Sequence, residues 1–338
     1  MLVLGIESTA HTIGVGIASD KPPFVLSNVY RRYVPSSGGI HPRESSRFIA
    51  ENAYDVLAEA LARANLSIKD IDAIAVALGP GLGPCLRIGA TLARFLALRY
   101  GKPLVPVNHA VAHIEIGMLT SGFRDPLVIY VSGGNTAIIA FLEGKYRVFG
   151  ETIDISLGNL IDTFAREAGL APPYIVNGRH VVELCASRGE RLLSLPYSVK
   201  GQDVSYSGLL TAALNMVRNG ERLEDVCLSL IETAYSMIVE VAERGLAHTR
   251  KKEVLLTGGV SASPLLESKA KLMAESHEAL FHNVPREYAG DNGAMIAWTG
   301  LLAYKHGVTI NPLDARIEQR WRVDEVDIPW RNQAGRSS

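Results

Sequence analysis

One turn occurs twice in this chain, and that repetition restricts the fold more than any other feature. Ser8-Thr9-Ala10-His11-Thr12 and Ser132-Gly133-Gly134-Asn135-Thr136 share a Ser-x-x-x-Thr spacing at an offset of 124 residues. Each turn joins two short apolar runs, residues 2–8 with 13–18 and 127–132 with 136–142, as in a β-hairpin. Third strands are expected at 24–33 and 145–151. The first half continues with a helix at 42–64, a buried strand at 71–78, a helix at 86–100, a strand at 103–107 and a helix from His109. The second half has helical stretches at 157–169, 180–187, 205–218 and 221–249. It then returns to strand at 253–256, helix at 265–276, strand at 279–284 and helix at 292–305. Apart from the additional helices, both halves read β-β-β-α-β-α-β-α, a domain-sized duplication rather than a solenoid repeat.

Each half has the element order of an RNase H-like unit. Two such units make the architecture of the actin, Hsp70 and sugar-kinase (ASKHA) superfamily, which the chain resembles at the level of fold. The expected class is α/β, with helical insertions in the second half. Residues 1–125 form a first actin-like subdomain, 126–305 a second, and 306–338 a tail returning to the first. At 338 residues, 47% hydrophobic and 20% charged, the chain is globular and long enough for two cores. A net charge of −1 gives no overall attraction for nucleic acid, so any such contact must come from local basic faces. Cys85, Cys185 and Cys227 are widely spaced, odd in number and outside any C-x-x-C pair, which argues against a disulfide framework and a thiolate zinc site. There is no basic leader, and no apolar run reaches the about 18 residues of a membrane span. The expected location is the cytoplasm, with no membrane partner.

Residues 106–116 carry His109 and His113 directly behind an apolar strand. At i and i+4 on a helix the two imidazoles share a face and can hold one metal ion, with Asn108 as the N-cap. A pair of this kind also occurs as packing or capping. The duplication adds two oxygens. In the second half the corresponding helix begins at Gly290-Asp291-Asn292, and pseudo-symmetry turns its start toward the His pair across the cleft, where Asp291 is either a ligand or a helix cap. Tyr130 faces the same cleft if Val128, Tyr130 and Ser132 alternate with Ile129 and Val131; otherwise it is a core tyrosine. Two imidazoles, a carboxylate and a phenolate suit iron or zinc.

The turn Ser132 to Thr136 offers backbone amides and flanking hydroxyls of the kind that approach phosphate, although a Gly pair also makes any tight hairpin. Thr257-Gly258-Gly259-Val260-Ser261-Ala262-Ser263 passes from strand to helix, where a helix N-terminus favours anions. The two turns point to an adenine nucleotide, and neither is a Walker loop.

The segments LGIESTAHT, GIHPRE, GPGLGPCLRIG, VNHAVAH, YVSGGNT, IDTFARE, TGGVSAS, DNGAMIAW and IEQRWRVDEV occur in that order along nearly the whole chain. In this the chain resembles the TsaD family, in its archaeal and eukaryotic branch. The resemblance implies transfer of a threonylcarbamoyl group from threonylcarbamoyl-AMP to N6 of the adenosine 3′ of the anticodon, the t6A modification, in tRNAs reading codons that begin with A. It implies one divalent metal per chain, Fe2+ before Zn2+, on His109, His113, Tyr130 and Asp291. Threonylcarbamoyl-AMP, or ATP, would lie on Tyr130, Val131, Ser132, Gly133, Gly134 and Asp162. Where many members carry Pro-Gly-Gly-Pro and a helical Glu, this chain has PPYIVNGRHVVEL, with Gly178 and Glu183 as the nearest equivalents. Ser263 stands where an Asn is usual. Implied partners are tRNA, a threonylcarbamoyl-AMP synthase upstream, and the other KEOPS subunits: a small kinase/ATPase, a dimerising subunit and a tRNA-binding subunit.

No side chain declares itself the general base; Glu7, His11 and Asp162 are candidates. Phosphate contacts are available from Arg31-Arg32, Arg43 with Arg47, Arg250-Lys251-Lys252, and Arg316, Arg320 and Arg322. The competing reading is an actin-like ATPase or small-molecule kinase. Such kinases place an acidic base near the acceptor hydroxyl, whereas the strand ending at Leu78 runs into Gly79-Pro80-Gly81. A zincin protease needs Glu directly after the first His, and Ala110 is there. A non-catalytic assembly subunit shares the fold and differs in not needing the metal.

Overall fold

The computed structural model describes residues 1–35 and 39–331. The last seven tail residues, 332–338, lie outside them. In the first half, β1 (Leu2–Glu7), β2 (Thr12–Ser19) and β3 (Val25–Arg32) form an antiparallel meander. Helix α1 (Pro42–Arg63), β4 (Ala73–Gly79), α2 (Gly83–Tyr100), β5 (Leu104–Asn108) and α3 (His109–Ser121) follow, giving a sheet of order β3-β2-β1-β4-β5. The second half repeats this with β6 (Leu127–Val131), β7 (Thr136–Leu142) and β8 (Lys145–Glu151). Next come α4 (Leu157–Glu167), the pair β9 (Ile175–Val176) and β10 (Arg179–His180), and α5 (Val181–Ala186). The pair β11 (Val199–Lys200) and β12 (Asp203–Val204) precedes α6 (Ser207–Arg218) and the long α7 (Leu223–Thr249). Finally β13 (Glu253–Thr257), α8 (Pro264–Ser276), β14 (Leu280–Asn283), α9 (Arg286–Ala289) and α10 (Gly293–Lys305) close the unit. Its sheet runs β14-β13-β6-β7-β8, the same order as the first.

The expected duplication is therefore present strand for strand. The differences are small: the pairs β9–β10 and β11–β12 have two residues per strand, too short for any period to register.

The two halves interlock through their last helices. Helix α10 lies on the first sheet, so close that a Cβ on Gly5 would be 2.1 Å from the Ala297 nitrogen and one on Gly16 2.3 Å from the Ala294 nitrogen. Glycine is required there because helix backbone rests directly on strand backbone. Helix α3 packs in turn on the second sheet, with Val111 and Ile114 against Val128 and Ile139. The exchange brings the N-termini of α3 and α10 to one cleft.

The tail spans both halves. Ile310 bridges Leu104, Arg94 donates to the Pro312 carbonyl at 2.8 Å, and the Glu318 amide donates to the Leu78 carbonyl at 2.8 Å. Gly79 explains part of the GPGLGP segment, since a Cβ on it would meet the Glu318 carbonyl oxygen at 1.9 Å. Beyond residue 322 the tail contacts the second sheet as well as α3 of the first half. Buried Glu115 accepts from Tyr146 Oη at 2.7 Å and from Trp330 Nε1 at 3.0 Å, while the Arg331 guanidinium lies 4.2 Å from the Phe141 ring centre. Among the described residues, no helix is long and apolar enough to cross a membrane.

Candidate metal centre and nucleotide cleft

The Asn108 carboxamide accepts from the Ala110 and Val111 amides at 3.0 and 3.2 Å, which starts α3 at His109 as its cap predicts. One turn on, the His113 ring lies 4.7 Å from that of His109, centre to centre, and both are buried. Opposite them, α10 is capped by Asn292, which accepts from the Met295 amide at 3.0 Å. Asp291 is thereby released from capping, and its Oδ1 lies 3.4 Å from His109 Nε2 and 3.5 Å from His113 Nε2. Tyr130 completes the group, its ring centre 5.3 Å from that of His113. Val128 and Tyr130 share the α3 face of the sheet while Leu127, Ile129 and Val131 point into the other core. The expected alternation of β6 is the one observed.

The first of the repeated turns holds the histidine. Glu7 is fully buried at the end of β1; its Oε2 is 2.9 Å from His109 Nδ1 and its Oε1 accepts from the Thr9 amide at 2.6 Å. A carboxylate on Nδ1 fixes the ring and leaves Nε2 for a ligand role, the usual support behind a metal-bound imidazole. Burial by itself would depress the His109 pKa, but Glu7, Tyr130 and Asp291 raise it well above the ordinary histidine value. His113 is lowered, chiefly by burial. Burial opposes ionisation of Asp291 too, yet the two imidazoles hold it well below the usual carboxylate range. Burial raises the Tyr130 phenol.

The chemistry of these donors fits a cation. Among the described residues neither ring nitrogen of His113 nor the Tyr130 hydroxyl has a hydrogen-bond partner, although all three atoms are buried. Each such orphan costs roughly 1–3 kcal/mol if nothing binds it. The ligand atoms of His109, His113 and Asp291 lie within 4.8 Å of one another. Two nitrogens and one or two oxygens at that spacing can hold iron or zinc, with room left for substrate.

The second repeated turn borders the same cleft. The Ser132 amide donates to the Asn135 carbonyl at 2.8 Å and the Asn135 amide to Ser132 Oγ at 3.0 Å. The amides of Gly133 and Gly134 have no acceptor among the described residues, and a Cβ on either would meet nothing within 4 Å. Gly158, in the first turn of α4, seats against the Ser132 carbonyl, where a Cβ would come within 2.5 Å. Gly258 has φ +99°, and its Cα rests on the end of β6, with a Cβ only 2.2 Å from the Val131 carbonyl. Two glycine turns and a helix start thus meet around exposed amides, the geometry of an anion site.

The remaining expected residues are distributed around this core. Asp162 Oδ1 is 3.0 Å from His180 Nε2. Among the described residues His11 Nδ1 has no partner; its pKa is lowered mainly by burial, and it lies in the fields of Asp291, Asp162 and Glu7, hence between the halves. Gly178, at φ +75°, forms the β9–β10 turn close to Arg286, which is 3.2 Å from its Cβ position. Glu183 accepts from Tyr235 Oη at 2.6 Å, and Ser263 caps α8 by accepting from the Leu266 amide at 3.3 Å. Neither makes a polar contact with the His pair among the described residues. Thr9 was not foreseen: its Oγ1 lies 3.3 Å from His109 Nδ1, and its only sequence signal is its place in the repeated turn.

A family model described as TsaD, tRNA N6-adenosine threonylcarbamoyltransferase, matches residues 25–298. This chain belongs to the TsaD family. It is 59% identical over 330 residues to a protein of Aeropyrum pernix, covering 98% of this chain and 95% of the other. It is 61% identical to one of Hyperthermus butylicus, covering 97% and 92%, and 58% identical to one of Staphylothermus marinus, covering 97% and 99%. All three are named tRNA N6-adenosine threonylcarbamoyltransferase. Among solved structures, Thermococcus kodakarensis HypF is similar with a TM-score of 0.66 and 17% identity, across 91% of this chain and 48% of that one. The activator of the 2-hydroxyisocaproyl-CoA dehydratase from Clostridium difficile, with bound ADPNP, gives 0.53 at 10% identity, over 91% and 97%. These two likenesses carry the fold, and the ASKHA architecture expected for a TsaD chain is the one found.

Proposed function

We propose that this chain transfers a threonylcarbamoyl group from threonylcarbamoyl-AMP to N6 of the adenosine 3′ of the anticodon in tRNAs reading codons that begin with A. The observation that carries the reading is the convergence of His109, His113, Tyr130 and Asp291 beside the free amides of Gly133 and Gly134. Family membership supplies the reaction class. A divalent cation on those four residues, Fe2+ by preference and Zn2+ otherwise, supplies Lewis acidity to the carbamoyl oxygen. The Gly133 and Gly134 amides hold the phosphate, with Tyr130, Val131, Ser132, Asp162, Gly178, Glu183 and Ser263 around the rest of the adenylate.

In the transfer step N6 attacks the carbamoyl carbon, the carbon–oxygen bond to phosphate breaks, and AMP departs with the electron pair. The N6 proton passes to His11, whose buried, unpartnered Nδ1 and lowered pKa keep it neutral and able to accept. Glu7 is committed to Thr9 and His109, and Asp162 to His180, which leaves both less free for that task. Residues 1–125 and 126–305 are proposed as the two walls of the cleft. Proposed partners are tRNA, the KEOPS subunits and an upstream threonylcarbamoyl-AMP synthase; the proposed location is the cytoplasm.

Labelled threonylcarbamoyl-AMP and unmodified tRNA test the proposal, with the chain alone and with the partner subunits. Label on the adenosine with the wild type, and none with His109→Ala, is the expected result. No label under any condition, with ATP consumed when small hydroxyl acceptors are added, establishes the kinase reading instead.

A further inference from the structure

We infer that the cavity between the C-terminal tail and the second sheet is the subsite of the acceptor base, the adenine that receives the threonylcarbamoyl group; this rests on the transferase reading. The cavity measures about 430 Å3, within the range of small-ligand pockets, and is open to solvent. Its inner end is formed by Tyr130 and by Ala110, the residue after His109, so it abuts the metal centre. Tyr130 belongs to both: its ring packs against His113, and its hydroxyl is one of the buried atoms without a partner.

Proteins recognise an unpaired nucleobase with an aromatic or apolar slot for its faces, a few polar groups for its edge, and cations for the flanking phosphates. The cavity has each of these. Its apolar lining includes Val148, Ile139 and the half-buried Trp321. Asn135 supplies a carboxamide with no hydrogen-bond partner among the described residues, because only its backbone N–H and C=O are engaged, both with Ser132. Glu151 and Arg322 face one another across the lining at 3.3 Å, one from β8 and the other from the tail. Arg320 is exposed at the rim and makes no ion pair among the described residues.

The Ser132–Asn135 turn acts as a partition. Its glycine amides offer the anion site for the donor, while Asn135 lines the acceptor cavity. Donor and acceptor then approach Tyr130 from two sides of one turn, so neither nucleotide must pass through the other's site. The docked tail, held at Leu78 and Glu115, forms the outer wall.

The test uses the metal-loaded full chain and an anticodon stem-loop RNA carrying 2-aminopurine at the acceptor position. Stacking in the cavity quenches its fluorescence on binding to the wild type. Val148→Trp fills the cavity and Arg320→Glu alters only its exposed rim, so a folding failure of the first does not end the test. With Val148→Trp the quench is lost and kcat/KM for the unmodified RNA falls by about 5- to 140-fold, the range set by loss of one stacked base. Binding of threonylcarbamoyl-AMP and metal content stay at wild-type levels, and Arg320→Glu weakens RNA with a smaller salt dependence. Unchanged quench and unchanged kcat/KM in Val148→Trp overturn the inference while leaving the transferase reading intact. So does a loss confined to threonylcarbamoyl-AMP binding, which would make the cavity the donor's. Failure of the wild type to transfer at all refutes the parent reading.

Discussion

Replacing Glu7 by Gln keeps size and shape but removes the negative charge and turns one acceptor oxygen into an NH2 donor. Glu7 receives the Thr9 amide at 2.6 Å on one oxygen and faces His109 Nδ1 at 2.9 Å with the other, in a fully buried position. Glutamine has one oxygen and one NH2. Turned toward Thr9, its oxygen leaves an NH2 against His109 Nδ1, which must then accept, moving the ring proton to Nε2. Turned toward His109, it opposes two donors at Thr9. The first orientation blocks the nitrogen that faces Asp291; the second strands a buried donor at a cost of roughly 1–3 kcal/mol. Loss of the group behind a metal-bound histidine costs on the order of 10–100-fold in affinity. At saturating metal the metal-linked part of the stability shrinks by RT ln of that ratio, about 1.4–2.7 kcal/mol. Chelator-competition titration of Fe2+ and Zn2+, with thermal melts at fixed metal concentration, measures both quantities. A Glu7→Gln protein that binds metal with wild-type affinity refutes the claim that the first-half turn holds His109 for ligation.

Other consequences follow from the same contacts. Gly16→Ala forces a Cβ against the α10 backbone and is expected to destabilise by about 1–3 kcal/mol or more, lowering Tm and weakening metal binding as Asp291 shifts; melts with and without metal separate the two effects. Tyr130→Phe removes a buried, unpartnered hydroxyl, so without metal the apo chain is expected to be as stable as wild type or up to about 2 kcal/mol more so, while metal affinity falls; paired urea titrations read both. Burial would raise the Asp154 pKa, but the Ser205 and Ser207 hydroxyls and the Tyr206 and Ser207 amides hold it well below the usual range. Its folded pKa being lower than the unfolded value of about 3.9, its contribution is complete above that pH and is lost as pH falls toward the folded value. Asp154→Asn is therefore expected to flatten the acid side of the stability profile below about pH 4, as read from urea midpoints.

The periodic parts of the fold were legible because they repeat. A hairpin pattern seen once is weak, but the same pattern at an offset of 124 residues fixed both sheets in the same order. Tyr130 could be assigned a face from the two-residue alternation of β6, and Asp291 from the symmetry of α10 with α3. Asn292, not Asp291, is the cap, so the rival explanation for that carboxylate falls away. What the sequence did not disclose depends on contacts between distant segments. Gly79 is required by the tail at Glu318, and Glu115 is buried because Tyr146 and Trp330 satisfy it. No local pattern announces either. Glu7 was visible as a candidate base, but its engagement with Thr9 and His109 arises only once the β1 turn meets the start of α3. Ser263 likewise was read as a nucleotide contact, and its oxygen accepts the capping bond of α8.

The central claim is that one metal ion, held by both halves of the chain, is required for transfer. Titrating Fe2+ or Zn2+ into metal-free chain, with label transfer to tRNA followed at each step, tests it most directly. The account predicts that transfer rises to a plateau at one ion per chain, and that Asp291→Ala, which leaves the His pair in place, does not recover wild-type transfer at that ratio. Full transfer by the metal-free chain, or by Asp291→Ala at one ion per chain, would contradict it.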